Sequence, residues 1–206
     1  MLVFCAKSIM ILWMEILGKI LGSPARVKVM RLFLLNKDKG FKNKDIAKRS
    51  RVAPEVVRSE LNVLASVNFI KKRTNDWSFD SSFKYAKELE DLLINTETLN
   101  NQTILNLFKN AGRVKLIILS GIFIKNKDSR VDFLVVGDKL KRGKIEEGIR
   151  KLEAEIGSEL IYAIFDTKEF IYRLNMYDKL IRDILDYPHE IVLQAKELST
   201  QALKKV

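Results

Sequence analysis

The sequence is short of cysteine, histidine and proline, and each shortage removes a class of protein. A single cysteine, Cys5, cannot form an internal disulfide and suits a reducing compartment, so a cytoplasmic location is expected. A single histidine, His189, cannot build a histidine metal cluster; beside Pro188 it reads as a turn residue. Only 3 prolines and 9 glycines interrupt 206 residues, so few stretches look like flexible linkers. Long uncharged runs are missing too. In the apolar opening, MLVFCAKSIMILWMEIL, the longest after Lys7 is Ser8–Met14, far short of the roughly 20 residues a spanning helix needs. A basic leader region and a small-residue cleavage site are also lacking. Residues 1–22 are therefore expected to form an extra apolar helix, or to follow an upstream start codon with Met10 or Met14 as the true beginning, and no membrane partner is expected. No P-loop, dinucleotide fingerprint or Gly-x-Ser-x-Gly elbow occurs, and no cofactor is expected.

What is present is positive charge, concentrated in one place. The formal net charge is +11, and 47% apolar composition suffices for a real core. Between Ala25 and Asn75 stand 14 Lys plus Arg against 4 Asp plus Glu, a net of +10; the remaining residues carry 23 against 22, a net of +1. A biased genome would spread its lysines evenly. A local excess points instead to a polyanionic partner.

The same segment has a recognisable order of elements. Ser23 caps a helix that opens with Pro24 and runs to Leu35, with Val27, Met30 or Arg31, and Leu34 marking its inner and outer faces. Asn36–Gly40 ends it, and Asn43 caps a short helix, Lys44–Arg49, with Ile46 and Ala47 inward. After the turn Ser50–Ala53, Pro54 opens a third helix to about Ser66, where Val57, Leu61 and Leu64 recur at i, i+4 and i+7. Asn68 turns the chain into a strand, Phe69–Arg73. Thr74-Asn75-Asp76 makes a hairpin turn, Trp77–Phe79 returns, and a helix Ser82–Leu93 trails behind.

In the segments LGSPARVKVMRLFLLN, KDIAKRS, VRSELNVLASVNFIKKR and WSFDSSF, the chain resembles the winged-helix transcription regulators over about its first 95 residues, with the domain itself expected at residues 23–95. The resemblance implies that the third helix enters the DNA major groove and that the hairpin is the wing. Arg58, Ser59 and Asn62 would then read base edges, with Glu55 on the same face. Lys44, Lys48, Arg49 and Arg51 would contact phosphates, and Lys71, Lys72 and Arg73 would decorate the wing.

Beyond the polar stretch Asn95–Gln102 the pattern changes. A short helix, Thr103–Asn110, precedes apolar runs at Val114–Leu119, Val131–Gly137 and Leu160–Phe165, which read as strands covered by helices. A helix Gly143–Ile156 lies between the second and third, and a long helix, Thr167–Leu185, follows. A final helix, within residues 194–206, spans Gln194–Lys205. Tyr162, Tyr172 and Tyr177 are expected in a core or interface rather than a stacking site.

The segment SGIFIKNKDSRVDFLVVGD resembles the signature of the minimal nucleotidyltransferase fold; the resemblance spans roughly Gly112–Leu193, within a domain expected over residues 103–193. That family uses a Gly-Ser pair to cradle a nucleotide, an Asp-x-Asp pair on the next strand to hold magnesium, and a third carboxylate on a later strand. Carboxylates at i and i+2 of a strand share a face and supply the hard oxygen ligands Mg²⁺ prefers. Here the first pair is reversed as Ser120-Gly121. Arg130 stands where the first aspartate belongs, Asp132 fits the second, and IYAIF offers no third. Asp128 lies in a loop and Asp166 at a strand end. An Arg130–Asp132 pair would neutralise itself, so the resemblance implies a nucleotidyltransferase fold without its phosphoryl-transfer chemistry and with no metal. Ser120, Gly121, Arg130 and Asp132 mark a residual nucleotide site.

The expected fold is α+β: a winged helix followed by a small α/β domain. Three functions stay open. The first is a transcriptional regulator bound to double-stranded DNA, whose second domain pairs two copies as a homodimer or senses a nucleotide effector. The second is a nucleotidyltransferase acting on RNA, protein or a small molecule; the third is a non-catalytic interaction module.

Overall fold

The computed structural model describes residues 16–94, 101–126 and 128–198 of a mixed α+β chain. Most of the expected N-terminal helix, including Cys5, Met10 and Met14, lies outside the described residues, as do most of the stretch Asn95–Gln102 and the end of the expected C-terminal helix. Within them, residues 16–20 are helical. No helix among the described residues is long and apolar enough to cross a membrane. The chain divides into two compact units: one holds the N-terminal part together with Arg150–Glu159, the other holds Leu99–Ile149 and the residues from Leu160 onward.

In the first unit, Ser23 is extended and accepts from the Arg26 N–H at 3.0 Å, so helix α1, Pro24–Leu34, starts where its cap and proline place it. The helix is buried nearly all round. Val27, Val29, Met30, Leu32, Phe33 and Leu34 are covered, and so is Arg31. The sequence offers one inner face. The structure surrounds the helix instead, because the elements that follow it, together with residues 150–159, close over it.

Strand β1, Gly40–Phe41, follows in what reads as a loop, and helix α2, Asn43–Ser50, buries only Ile46 and Ser50. Arg51, in the left-handed region at φ 53°, turns the chain into helix α3, Pro54–Ser66. Val57, Leu61 and Leu64 face the core as their spacing requires, joined by Glu60. That carboxylate accepts from Arg26 Nε at 2.7 Å and from the Ser23 hydroxyl, tying α3 to the start of α1. Asn68, at φ 58°, ends the segment. Strands β2, Ile70–Arg73, and β3, Asp76–Phe79, form a hairpin around Thr74-Asn75, and β1 adds to its far side in an antiparallel sheet of order β1-β3-β2. Helix α4, Ala86–Leu93, is shorter than the expected Ser82–Leu93 because Asp80 binds the Ser82 N–H and hydroxyl and holds a turn there.

Residues 150–159 complete this unit. Arg31 Nε donates to the Leu93 carbonyl at 2.7 Å and its Nη1 to the Glu155 carbonyl at 3.0 Å, while Asn36 Nδ2 donates to the carbonyls of Leu32 and Gly157. Gly157 sits at φ 91°, and a Cβ there would lie 2.6 Å from the Arg31 carbonyl carbon. Only glycine fits so close an approach in that conformation.

The second unit is built on a four-stranded sheet. Helix α5, Asn101–Phe108, leads into β4, Arg113–Leu119; β5 is Phe133–Asp138, helix α6 is Arg142–Ile156 and β6 is Tyr162–Asp166. Strand β4 runs antiparallel to β5 and to a last strand, β7, Glu190–Gln194, whereas β5 and β6 are parallel, giving the order β6-β5-β4-β7. Alternation along β4 and β5 sends Leu116, Ile118, Leu134 and Val136 into one core with Phe165, Phe170, Ile181 and Ile184. Phe133, on the opposite face, meets Phe108 with ring centroids 5.1 Å apart.

Two expected helices are corrected here. The run Thr167–Leu185 is two helices, α7, Thr167–Asn175, and α8, Lys179–Asp186. Tyr177 at φ 54° breaks it, and Asp178 recaps it by accepting from the N–H groups of Leu180 and Ile181. The expected helix from Gln194 begins as the end of strand β7, Glu190–Gln194, followed by a 3₁₀ turn, Lys196–Leu198. Ile191, Val192 and Leu193 are β-branched or apolar residues that complete an open sheet edge. Lys115 anchors that turn, donating to Asp138 at 2.6 Å and Glu197 at 2.8 Å; the hydrogen bond to Asp138, then that to Glu197, raises its pKa.

Candidate nucleic-acid interface

Of the 14 basic side chains between Ala25 and Asn75, six are already engaged. Arg26 binds Glu60, Lys28 binds Glu155, Lys37 binds Glu90, Arg49 binds Glu159 and Lys71 binds Asp80, while Arg31 is buried. The other eight have no carboxylate within ion-pair distance among the described residues. They are Lys39, Lys42, Lys44, Lys48, Arg51, Arg58, Lys72 and Arg73, and all are exposed. They lie on α2 and its flanks, on α3 and on the hairpin. Folding therefore consumes the three basic side chains of α1 together with Lys37, Arg49 and Lys71, and leaves the other eight cations exposed.

On α3 the face opposite Val57, Leu61 and Leu64 carries Arg58, Ser59 and Asn62, all exposed, with Glu55 beside them. These side chains offer donors and acceptors free of internal partners. Lys44 and Lys48 stand exposed on α2, and Arg51 on the turn between the helices. Arg49 differs from its neighbours. Its guanidinium lies 5.3 Å from the centre of the Phe41 ring and 2.9 Å from Glu159, so it is already paired.

The hairpin separates its three cations. Directly opposed residues share a face, so Lys72 pairs with Trp77 on the core side, while Lys71 with Ser78 and Arg73 with Asp76 lie on the other. Lys72 Nζ sits 5.8 Å from the centre of the Trp77 ring, and Trp77 Nε1 donates to Asn43 Oδ1 at 2.8 Å. Lys72 is thus held near the start of α2. This bond also corrects the role expected for Asn43: Lys42 occupies the cap position of α2, and the Asn43 amide supports the tryptophan. Lys71 donates to Asp80 at 3.0 Å; the Ser82 N–H first, and Lys71 next, hold the Asp80 carboxyl down at about 2.

In the second unit, the residues matched to the nucleotidyltransferase signature form a backbone latch. Asp132 precedes strand β5 rather than lying on it. Its Oδ1 accepts from the Ile122 N–H at 2.9 Å and its Oδ2 from the Ile161 N–H at 2.8 Å. Arg130 does not pair with it; Nε reaches Asp183 at 2.7 Å. The expected Arg130–Asp132 pair is overturned because two backbone donors claim the aspartate first. Gly121 has φ 54° and lies against Asp132, while the buried Ser120 bonds the Ser129 hydroxyl at 2.8 Å. Asp128 is exposed in the loop, and Asp166 caps α7 by accepting from Glu169 N–H. Among the described residues no group of three or more His, Cys, Asp or Glu side chains is placed to hold a metal ion. Tyr172 and Tyr177 are 66% and 75% exposed, which takes both out of any core; Tyr162 is exposed at the sheet edge. His189 lies in the connection between α8 and β7, with its Nδ1 2.9 Å from the Tyr187 carbonyl.

Sequence reasoning missed Lys39 and Lys42, the Trp77–Asn43 support and the Glu159 partner of Arg49. The first two lie in the same basic run and could have been read from it. Neither of the others has a local signal, since each joins segments distant in the chain. No protein-family profile, curated protein or solved structure matches the chain.

Proposed function

We propose that the chain is a winged-helix regulator that binds double-stranded DNA. The observation that carries this reading is the set of eight exposed cations left without carboxylate partners on α2, α3 and the hairpin. In this arrangement α3 lies in the major groove, where Arg58, Ser59 and Asn62 meet base edges. Lys44, Lys48 and Arg51 neutralise phosphates beside it, and Lys72, on its tryptophan support, reaches the flanking backbone. Arg73 reaches it only from the tip of the wing. Two copies binding two half-sites fit the same reading, with the exposed Tyr172, Met176 and Tyr177 of the second unit as apolar surface for pairing. A phosphoryl-transfer reading loses its main support, because Asp132 spends both carboxylate oxygens on backbone N–H groups. The second unit then serves pairing or ligand sensing.

The test is fluorescence anisotropy with random-sequence duplex DNA across a salt series. With about six phosphates neutralised, affinity is expected to fall about 10³-fold between about 50 and about 200 mM salt. The triple substitution Lys44→Ala, Arg58→Ala, Lys72→Ala should flatten the log–log salt slope by about 2 to 3. Absence of binding at low salt, or a variant that binds like the wild type, rules the reading out.

Glu159 gives a second expectation. If its carboxylate holds Arg49 where a phosphate would sit, Glu159→Gln should raise DNA affinity about two- to fivefold at low salt, the range of an exposed ion pair. Unchanged affinity would show that Arg49 takes no part in binding.

A further inference from the structure

Strand β6 ends the sheet of the second unit: among the described residues it pairs with β5 on one side and with no strand on the other. Such an edge offers unpaired backbone groups, and proteins ordinarily guard it with a lysine, a proline or a bulge. None of these is present. From Leu160 to Phe165 the chain reads LIYAIF, without charge, proline or glycine, and its register against β5 is unbroken. Asp166, the one charged residue of β6, is engaged with the Glu169 N–H.

The ladder to β5 fixes which backbone groups are left over. The Ile161 carbonyl accepts from the Phe133 N–H at 3.2 Å, so Ile161, and by alternation Ala163 and Phe165, address β5. Tyr162 and Ile164 therefore aim their N–H and C=O groups outward, and they stand symmetrically about Ala163. Antiparallel pairing of β6 with its own copy, centred on Ala163, sets Tyr162 opposite Ile164 of the second copy, and each such pair exchanges both of its hydrogen bonds. Ala163 then faces Ala163 at the closer, non-bonded site, where a small side chain suits the approach. The side chains fit the same register. Tyr162 is exposed, and along its face of β6 runs a recess of about 320 Å³ lined by Ile164, Gly137 and Leu140, with Lys139 and Arg142 also in its wall. The register brings Tyr162 of each copy beside Ile164 of the other, at this recess, as an aromatic and β-branched cross-strand pair. A projecting ring and a hollow on one strand make the surface self-complementary, as a two-fold contact requires. On the other face of the strand the exposed Ile161 adds apolar area.

We infer that β6 pairs with β6 of a second copy of this chain, joining their two sheets into one about a two-fold axis at Ala163. The DNA-binding reading also uses two copies, but the seam is tested without DNA. Analytical ultracentrifugation of the full chain at micromolar concentration is expected to show a dimer. Tyr162→Lys, which puts a guarding lysine at an exposed edge position, should raise the dimer Kd at least about tenfold. A second test reads the register. Ala163→Cys combined with Cys5→Ser, which leaves a single cysteine, should give an inter-chain disulfide with diamide, because opposed non-bonded positions lie about 4.5 Å apart, within the span of that bond. Lys168→Cys in the same background, outside the strand, should give none. The triple variant at Lys44, Arg58 and Lys72 should dimerise like the wild type, so a failure to bind DNA leaves this result standing. A monomer at micromolar concentration, a dimer that Tyr162→Lys leaves intact while Tyr172→Ser dissolves it, or no disulfide from Ala163→Cys overturns the assignment.

Discussion

Replacing Arg31 by alanine is expected to lower the melting temperature by about 6 to 12 °C, a loss of about 3 kcal/mol. Arg31 is 3% exposed, and burial is the first cause of its lowered pKa, offset in part by the Glu155 carboxylate. Its charge is tolerated because Nε and Nη1 each reach a carbonyl, at Leu93 and Glu155. Removing the side chain leaves both acceptors without that donor. A hydrogen bond from a charged group contributes about 1.5–3 kcal/mol, so two partly offset by burial give the stated loss. Nη2 is buried without a partner, which keeps the figure below the sum of two full bonds. Differential scanning calorimetry reads the result. Lys28→Ala, which removes a partly exposed ion pair to Glu155, should shift the melt far less and serves as the comparison. Equal shifts for the two variants would show that Arg31 is not a structural tie.

Gly121→Ala should destabilise the second unit by about 3 kcal/mol or more. The added Cβ would lie 2.0 Å from Asp132 Oδ1, in a backbone at φ 54° where side chains are strained. Asp132 must then retreat and release the Ile122 N–H. If the aspartate is the obstacle, Gly121→Ala combined with Asp132→Ala should be less destabilising than the two single losses added together, because neighbouring sites that share a contact are not additive. Urea unfolding followed by circular dichroism measures the cycle. Simple additivity would mean that backbone strain alone accounts for the glycine. Either result bears on whether Asp132 acts as a latch, and neither requires a bound metal or nucleotide.

The features legible in the sequence were those set by near neighbours. Ser23 and Pro24 start α1 through a cap bond to Arg26, and Asn68 ends α3 by adopting a conformation that asparagine tolerates. The alternation of Ile70, Lys72 and of Trp77, Phe79 defines a hairpin without outside help. Features that depend on distant partners were not legible. Two residues, Gly40 and Phe41, form a strand only because β3 is there to receive them. Glu60 reads as a surface residue on α3 until Arg26 and Ser23 enclose it. Asp132 has the same limit: a carboxylate that accepts from two backbone N–H groups and one that ligates a cation are the same letter in the same register. The cations of α2 and α3 were legible as a set, but which of them folding would consume was not.

Because the first unit takes in Arg150–Glu159, its sequence is interrupted by about half of another folded body. During synthesis α1 leaves the ribosome long before the carbonyls of Glu155 and Gly157 exist to receive Arg31 and Asn36. Until then a buried guanidinium has only the Leu93 carbonyl to satisfy it, and the nascent unit waits for closure of a long chain loop. A fragment cut after Leu93 would carry the whole cationic surface on an unfinished core.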